Sequence, residues 1–350
     1  IEGRRARWHC LDVIRFADDL APETIEARHA SDVARLAELL FYLATGEETY
    51  SSDVPDPAHD LFARALGAHR DVVDAAEFSQ VMTSSLEELR KPAHTPLLVG
   101  YATDVGQVRM LNEDSLIEVS VSSVFRSTGI PIGVFGVADG MGGHSAGDVA
   151  SRTASRVIVQ RATTDILARA ANGEPLPDPE EWLRETILAA NQAVFEKRRA
   201  AENDMGTTLV VALVAGDQVT IANVGDSRAY RLRREEIVQI TTDHSLVERL
   251  VSVGQISREE AAIHPQRNVI YRTIGDKPDV EVDLYRQPLL PGEALLLCSD
   301  GLSGPVPDEK IWHIWRTSTS PQEACERLVE AANQGGGEDN ITVVIVQFGR

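Results

Sequence analysis

The chain has 350 residues, which is long enough for more than one domain because single hydrophobic cores usually stop growing below this length. It is 43% hydrophobic and 25% charged, the composition of a globular protein. Its 54 acidic and 34 basic residues give a formal net charge of −20. That charge argues against nonspecific binding to nucleic acid or to anionic membrane surfaces.

The cysteines and the hydropathy indicate where the protein works. Cys10, Cys298 and Cys325 are odd in number and lack CxxC spacing, so neither a disulfide framework nor a zinc site is predicted. No apolar run reaches the roughly 18 residues of a membrane-spanning helix. The first residues show no signal-peptide pattern. We therefore expect a cytoplasmic protein that binds neither membrane nor nucleic acid.

The first part of the chain, about residues 5–89, has a helical pattern. Apolar side chains recur at helical spacing over 33–43, and the run stops before Gly46. The stretch 86–96 loses this periodicity around two prolines, which predicts a domain boundary near His94. We expect a small all-α domain over 1–94, followed by a larger domain over 95–350.

After the boundary, short β-rich runs alternate with helical patterns. The β-rich runs lie at 132–138, 208–214, 219–224, 294–299 and 341–346. The helical patterns lie at 148–160, 179–203 and 321–333, each with an acidic residue, proline or serine near its start. The runs on either side of residues 215–217 are typical of a hairpin. An α+β domain with antiparallel sheets covered by helices is therefore predicted.

The segment VADGMGGH at 137–144 ends an apolar strand in an aspartate and a glycine-rich turn. Asp-Gly after a strand is also a common turn, so Asp139 alone decides nothing. Glycine at position 140 would let a metal ion approach a backbone carbonyl.

Four more acidic segments lie at the ends of β-rich runs or beside them. They are RMLNED at 109–114, VGDSR at 224–228, CSDGL at 298–302 and GEDN at 337–340. Carboxylates gathered in one place need compensating positive charge, and hard divalent cations prefer oxygen ligands. A divalent metal centre is therefore predicted.

In order and spacing, these segments resemble the PPM (type 2C) metal-dependent serine/threonine protein phosphatases of the bacterial subtype, over about 97–349. The match includes MGTT at 205–208, TDHS at 242–245 and HPQRN at 264–268. The resemblance implies an αββα sandwich of two antiparallel sheets flanked by helices. It also implies a signalling hydrolase that removes phosphate from phosphoserine and phosphothreonine in phosphorylated proteins. The attacking group would be a hydroxide that bridges two Mn²⁺ or Mg²⁺ ions.

The resemblance also implies a set of metal ligands. Asp139 would bridge the two ions. Glu113 and the carbonyl of Gly140 would bind one ion, many of their contacts passing through water. Asp300 and Asp339 would bind the other ion in the same way.

Three further features follow from the same resemblance. Asp226, together with Asp300, matches the third metal site of bacterial members, and 246–265 matches their mobile flap. Arg109 is the candidate phosphate ligand, because a guanidinium pairs with two phosphate oxygens. The alternative is a surface arginine paired with a neighbouring carboxylate.

The proton donor has three candidates. Many eukaryotic relatives carry histidine where this chain has Met141, which cannot donate a proton. His144 is the replacement candidate, with a structural histidine or a metal-bound water as the alternatives. For His244 a local structural role is expected. Cys298, in an apolar run, is expected to be a core residue rather than a nucleophile.

The amino-terminal region is similar to the carboxy-terminal lobe of a protein kinase. The similarity rests on LAPE at 20–23, SDV at 31–33, ELLFYLATG at 38–46, LFARAL at 61–66 and AAEF at 75–78. No glycine-rich nucleotide loop, His-Arg-Asp loop or Asp-Phe-Gly motif accompanies it, so no phosphotransfer is expected. The region is either an unrelated helical bundle or a docking module, which makes a serine/threonine kinase a candidate partner.

A second function also fits the pattern. The chain would then be a catalytically weak PPM-like regulatory module attached to a kinase-derived scaffold, since a fold alone does not guarantee activity. Retention of the five carboxylate and arginine positions Arg109, Glu113, Asp139, Asp300 and Asp339 favours an active enzyme.

Overall fold

The computed structural model describes residues 97–125, 128–142 and 146–349. The helical pattern at 5–89, the kinase-like segments and the boundary near His94 lie outside these residues and stay predictions.

Two five-stranded antiparallel sheets form the centre of the described domain. The first sheet has the order β1 (Leu97–Asp104), β12 (Ile341–Phe348), β11 (Ala294–Cys298), β8 (Arg228–Leu232), β9 (Ile237–Gln239). The second has the order β10 (Asp283–Pro288), β7 (Gln218–Val224), β6 (Leu209–Ala215), β3 (Thr128–Ala138), β2 (Ser115–Phe125). A two-stranded ribbon of β4 (Gly140–Met141) and β5 (Gly206–Thr207) lies beside them.

The two sheets pack face to face through fully buried apolar side chains. Phe135 of β3 belongs to the same buried cluster as Leu297 of β11 and Val344 of β12. Strands β6 and β12 are buried along nearly their whole length. Their continuous apolar sequences are therefore those of strands covered on both faces.

Helices cover the outer face of each sheet. The helices of the described residues are α1 (Ala146–Arg161), α2 (Ala168–Asn172), α3 (Pro179–Ala201), α4 (Leu246–Ser252), α5 (Arg258–Ala262), α6 (Asp300–Ser303), α7 (Asp308–Thr317) and α8 (Pro321–Gln334). Of these, α1, α3, α7 and α8 pack on the sheets. Ile158 of α1 and Leu183 of α3 pack in one cluster with Val211 of the second sheet. Ile311 of α7 and Leu328 of α8 pack on the first sheet. These four layers confirm the predicted αββα sandwich.

The predicted starts of helices α3 and α8 are confirmed by their caps. The Asp178 carboxylate accepts hydrogen bonds from two backbone N–H groups of the first turn of α3, and Pro179 follows it. Ser320 caps α8 in the same way, ahead of Pro321. Helix α1 continues through a π-helical segment, Ala162–Leu167, into α2. No helix in the described part of the chain is long and apolar enough to cross a membrane.

Strand register brings the acidic segments to one end of the sandwich. Asp104 pairs with Ile341, and Cys298 pairs with both Val343 and Arg228, so these strand ends are neighbours. The predicted hairpin at 215–217 is confirmed, since Ala215 pairs with Gln218. That hairpin and the turn at 289–293 lie at the opposite end.

Candidate active site

Asp139 follows β3 and is held by its backbone. Its N–H donates to Thr208 Oγ1 at 3.0 Å, and its carbonyl accepts from Thr208 N–H at 2.8 Å. Thr207 Oγ1 donates to the same carbonyl at 2.9 Å. The next residue, Gly140, has no room for a side chain, because a Cβ there would collide with backbone atoms of Gly147. These hydrogen bonds hold the backbone of Asp139 and do not involve its carboxylate.

Carboxyl groups from four other segments surround Asp139. The pKa of Asp139 is raised well above its usual range, first by burial and then by Asp114, Asp300, Asp226 and Asp339. Four of the predicted ligands, Asp139, Asp226, Asp300 and Asp339, therefore lie close enough to influence one another. The clustering also requires a counter-charge, because buried like charges repel one another.

Several carboxylate oxygens of this cluster have nothing to bind. Within the described residues, Oδ1 of Asp226, of Asp300 and of Asp114 is buried without a hydrogen-bond partner. Burial, with Asp300 and Asp243 next, raises the pKa of Asp226 to about 8. Burial likewise raises the pKa of Asp300. Buried oxygens without partners are what a hard cation would satisfy, so this donor set fits Mg²⁺ or Mn²⁺.

Asp114 was not predicted individually, although it is part of RMLNED. Its Oδ2 accepts a hydrogen bond from Ser299 Oγ at 2.8 Å, and burial raises its pKa to about 7. No three His, Cys, Asp or Glu side chains in the described ranges close directly around one point as a complete ion site.

Arg109 lies at the solvent-facing rim of the carboxylates. Its Nη2 donates to Asp339 Oδ2 at 2.7 Å, and its side chain is 51% exposed. Burial by itself would lower the pKa of Arg109, but the hydrogen bond and charge of Asp339 raise it. An arginine at this place can meet a phosphate that approaches from solvent.

Asn340 joins the loop of Glu113 to the last strand. Its Oδ1 accepts from Glu113 N–H at 2.8 Å. Its Nδ2 donates to the carbonyls of Val105 at 3.0 Å and Leu111 at 2.9 Å. Sequence reasoning missed this residue, and its only signal was its place at the end of GEDN.

His244 holds the backbone of Gly225, the residue before Asp226. Gly225 donates its N–H to His244 Nδ1 at 2.9 Å, and the Gly225 carbonyl accepts from the His244 N–H. Because Nδ1 accepts, the ring proton lies on Nε2, 3.1 Å from Asp283 Oδ2. Burial lowers the pKa of His244, which favours this neutral form. These contacts are of the local structural kind expected for His244.

A cavity of about 630 Å³ opens beside the cluster. Asp226, Asp300 and Asp339 line one side of it, and side chains of α4 and α5 line another. These two short helices occupy the segment 246–265 that was predicted to be the flap. Charged groups such as Arg258 and Arg267 also reach the cavity.

Three other residues of the quoted segments are Ser245, Cys298 and His144. Ser245 Oγ accepts from Glu248 N–H and caps α4. Cys298 is completely buried, and burial raises the pKa of its thiol to about 12, so it is a core residue. His144 lies outside the described residues, and its role as proton donor stays a prediction.

Comparison with known proteins agrees with this geometry. The family described as protein phosphatase 2C matches residues 122–334. The serine/threonine phosphatase stp of Listeria monocytogenes is 41% identical over 252 residues, which are 71% of this chain and 94% of that protein. The chain belongs to the protein phosphatase 2C family, and it is a serine/threonine phosphatase whose substrates are phosphoproteins.

Solved structures lead to the same fold. Stp1 from Staphylococcus aureus superposes with a TM-score of 0.64 at 35% identity, covering 72% of this chain and 95% of Stp1. The catalytic domain of PstP, solved in complex with two manganese ions, superposes with a TM-score of 0.61 at 35% identity. That match covers 73% of this chain and all of the PstP chain.

Proposed function

We propose that this phosphatase works with two or three Mn²⁺ or Mg²⁺ ions bound at the carboxylate cluster. The ligands in this proposal are Glu113, Asp139, the carbonyl of Gly140, Asp226, Asp300 and Asp339. The observation that carries it is the group of buried carboxylate oxygens without partners at one end of the sheets. The manganese ions of PstP support the choice of metal. When bound, such ions activate water and neutralise phosphate charge.

In this proposal the surrounding residues bind the phosphate, position Asp139 and donate a proton. Arg109 would bind and orient the phosphate at the rim, where its guanidinium is half-exposed. The β4–β5 ribbon and the Asp139 backbone contacts would hold the central carboxylate in place. His144 would protonate the leaving serine or threonine oxygen.

The test is a phosphothreonine peptide assay with Mn²⁺ and with excess EDTA, run beside a calorimetric Mn²⁺ titration. We expect hydrolysis only with metal, and Mn²⁺ binding that Asp139→Asn weakens. Full activity in EDTA would refute the metal proposal. Mn²⁺ binding without any hydrolysis would instead favour the regulatory module, which the named relatives do not favour.

A serine/threonine kinase is the partner that we propose, supported by the kinase-like segments at 20–78. Deleting 1–94 should lower kcat/KM on an autophosphorylated serine/threonine kinase and leave kcat/KM on a short phosphopeptide nearly unchanged. Equal effects on both substrates would contradict this partner. A cytoplasmic location belongs to the same proposal and is supported by Cys298 and Cys325, which are both buried and unpaired with each other.

A further inference from the structure

The loop between β1 and β2, which carries the candidate phosphate ligand, is fixed along its length. Asn340 binds the carbonyls of Val105 and Leu111 through one amide group. Gln107 N–H donates to the carbonyl of Gly337 at 2.7 Å. The backbone of the loop is thus held by hydrogen bonds at three points. A loop held in this way loses little conformational entropy when a ligand binds to it.

Three large apolar side chains of this loop are exposed to solvent. Val108 is 65% exposed, Met110 is 92% exposed and Leu111 is 54% exposed. We call these three residues the apolar lip. Single exposed apolar residues are ordinary, but three within four consecutive positions of a fixed loop form a patch that is typical of binding surfaces.

The lip surrounds Arg109 in the chain. Consecutive Cα atoms are about 3.8 Å apart, so every lip residue lies within about 8 Å of Arg109. An extended peptide advances roughly 3.5 Å per residue. A peptide whose phosphate meets Arg109 therefore passes its neighbouring residues over this part of the surface.

The cavity on the flap side has a different chemistry. Asp339, which pairs with Arg109, lines it together with Glu248, Arg258 and Arg267. The lip residues are not part of that lining. The cavity lining thus mixes charged groups with apolar ones such as Val247 and Val251, whereas the lip presents only apolar side chains.

We propose that the apolar lip binds an apolar side chain of the phosphoprotein, located within two residues of the phosphorylated one. The enzyme then selects substrates with leucine, isoleucine, valine, methionine or phenylalanine at that place. This inference rests on the proposed function, because it takes Arg109 as the phosphate ligand. Charge acts in the same direction, since a protein with a net charge of −20 repels acidic flanking residues.

The test uses phosphothreonine peptides that differ at one position, with leucine, serine or glutamate placed from two residues before to two residues after the phosphothreonine. We expect leucine at one of these positions to raise kcat/KM about fivefold over serine, the size expected for burying a methylene or two in part. Glutamate should give a lower kcat/KM than serine.

Variants then assign the preference to the lip. Met110→Ser should reduce the leucine-to-serine ratio to less than about twofold, and adding Leu111→Ser should bring it near one. Because the ratio compares two substrates of one protein, a partly folded variant does not change it. Leu290→Ser is the matched control, since Leu290 is 49% exposed in a turn at the opposite end of the sheets. It should keep the wild-type ratio.

The possible outcomes separate the binding role of the apolar lip from the proposed metal-dependent function. Hydrolysis of all peptides without a leucine preference, or with a preference that Met110→Ser leaves intact, would overturn the inference alone. A dimer that Met110→Ser dissociates, with no change in selectivity, would overturn it in favour of a contact between two copies. No metal-dependent hydrolysis of any peptide or of p-nitrophenyl phosphate would overturn the proposed function and this inference together.

Discussion

At the scale of single residues, Asp139 and Glu113 differ in their place in the proposed metal centre. Asp139 would bridge the two ions, whereas Glu113 would bind one of them. Asp139→Asn should therefore reduce both kcat and Mn²⁺ affinity more than Glu113→Gln does. Peptide hydrolysis and calorimetric Mn²⁺ titration of the two variants measure this difference. Equal losses would show that Asp139 does not bridge the ions.

Arg109 allows a test that separates phosphate from metal. Arg109→Ala should lower kcat/KM about 10- to 100-fold, the value of one charge-assisted hydrogen bond, while Mn²⁺ affinity changes little. Arg109→Lys keeps the charge without the planar fork and should recover only part of the loss. If the variant lost as much Mn²⁺ affinity as it lost kcat/KM, the role of Arg109 would instead be to position the metal ligand Asp339.

At the scale of elements, the turn between β7 and β8 depends on a contact with the segment before α4. In His244→Asn, the amide oxygen can lie where Nδ1 lies and accept the Gly225 N–H. In His244→Gln it cannot. We expect the glutamine variant to unfold with a free energy about 1 kcal/mol lower than the asparagine variant, the cost of one buried donor left unpaired.

Urea unfolding in EDTA measures the difference between these two variants without any contribution from metal. A Mn²⁺ titration of each shows whether the turn also governs the site that contains Asp226. If the two variants unfold alike, the contact of Gly225 with His244 has no weight in holding the turn.

Elements with a clear period were predicted well from sequence. The runs at 341–346 and 219–224 are strands, and the helical patterns at 179–203 and 321–333 are helices, because their apolar spacing matches their burial. The edge strand β1 has mixed burial and was not predicted. The π-helical segment at 162–167 has no pattern that separates it from an α-helix.

The site was predictable in its acidic residues and not in their supports. The aspartates can be recognised in the sequence because each follows an apolar run. Their closeness in space follows once the strand ends that carry them are neighbours. The hydrogen bond from Glu113 N–H to Asn340 joins residues 227 positions apart, and no local pattern contains it. The contact of Gly225 with His244 spans 19 positions and was equally invisible.

At the scale of the whole molecule, the buried carboxyls should make the metal-free protein less stable as pH rises towards 8. The pKa of Asp226 is about 8 in the folded state, under the influence of burial, Asp300 and Asp243, with Arg228 opposing, and about 3.9 when unfolded. A raised folded pKa gives stability that is complete below the unfolded pKa and is lost as pH rises through the folded pKa. The loss therefore occurs between about pH 4 and pH 8.

Thermal unfolding in EDTA at a series of pH values tests this. Tm should fall by at least about 3 °C between pH 5.5 and 8.5, which is what roughly 1 kcal/mol gives in a domain of this size. Asp226→Asn should show a smaller fall, which separates this carboxyl from general repulsion by the net charge of −20. Saturating Mn²⁺ should remove most of the fall. An identical slope in wild type and Asp226→Asn would contradict the assignment.

The last strand of the domain has a consequence for the order of events in the cell. Strand β12 lies between β1 and β11, and the two residues before it, Asp339 and Asn340, complete the carboxylate cluster and fix the loop that carries Arg109. The first strand of the sandwich therefore gains its neighbour only after β12 has been synthesised. A nascent chain that has not yet reached β12 lacks Asp339 and the Asn340 hydrogen bonds that hold the loop of Arg109, so we expect it to be unable to remove phosphate.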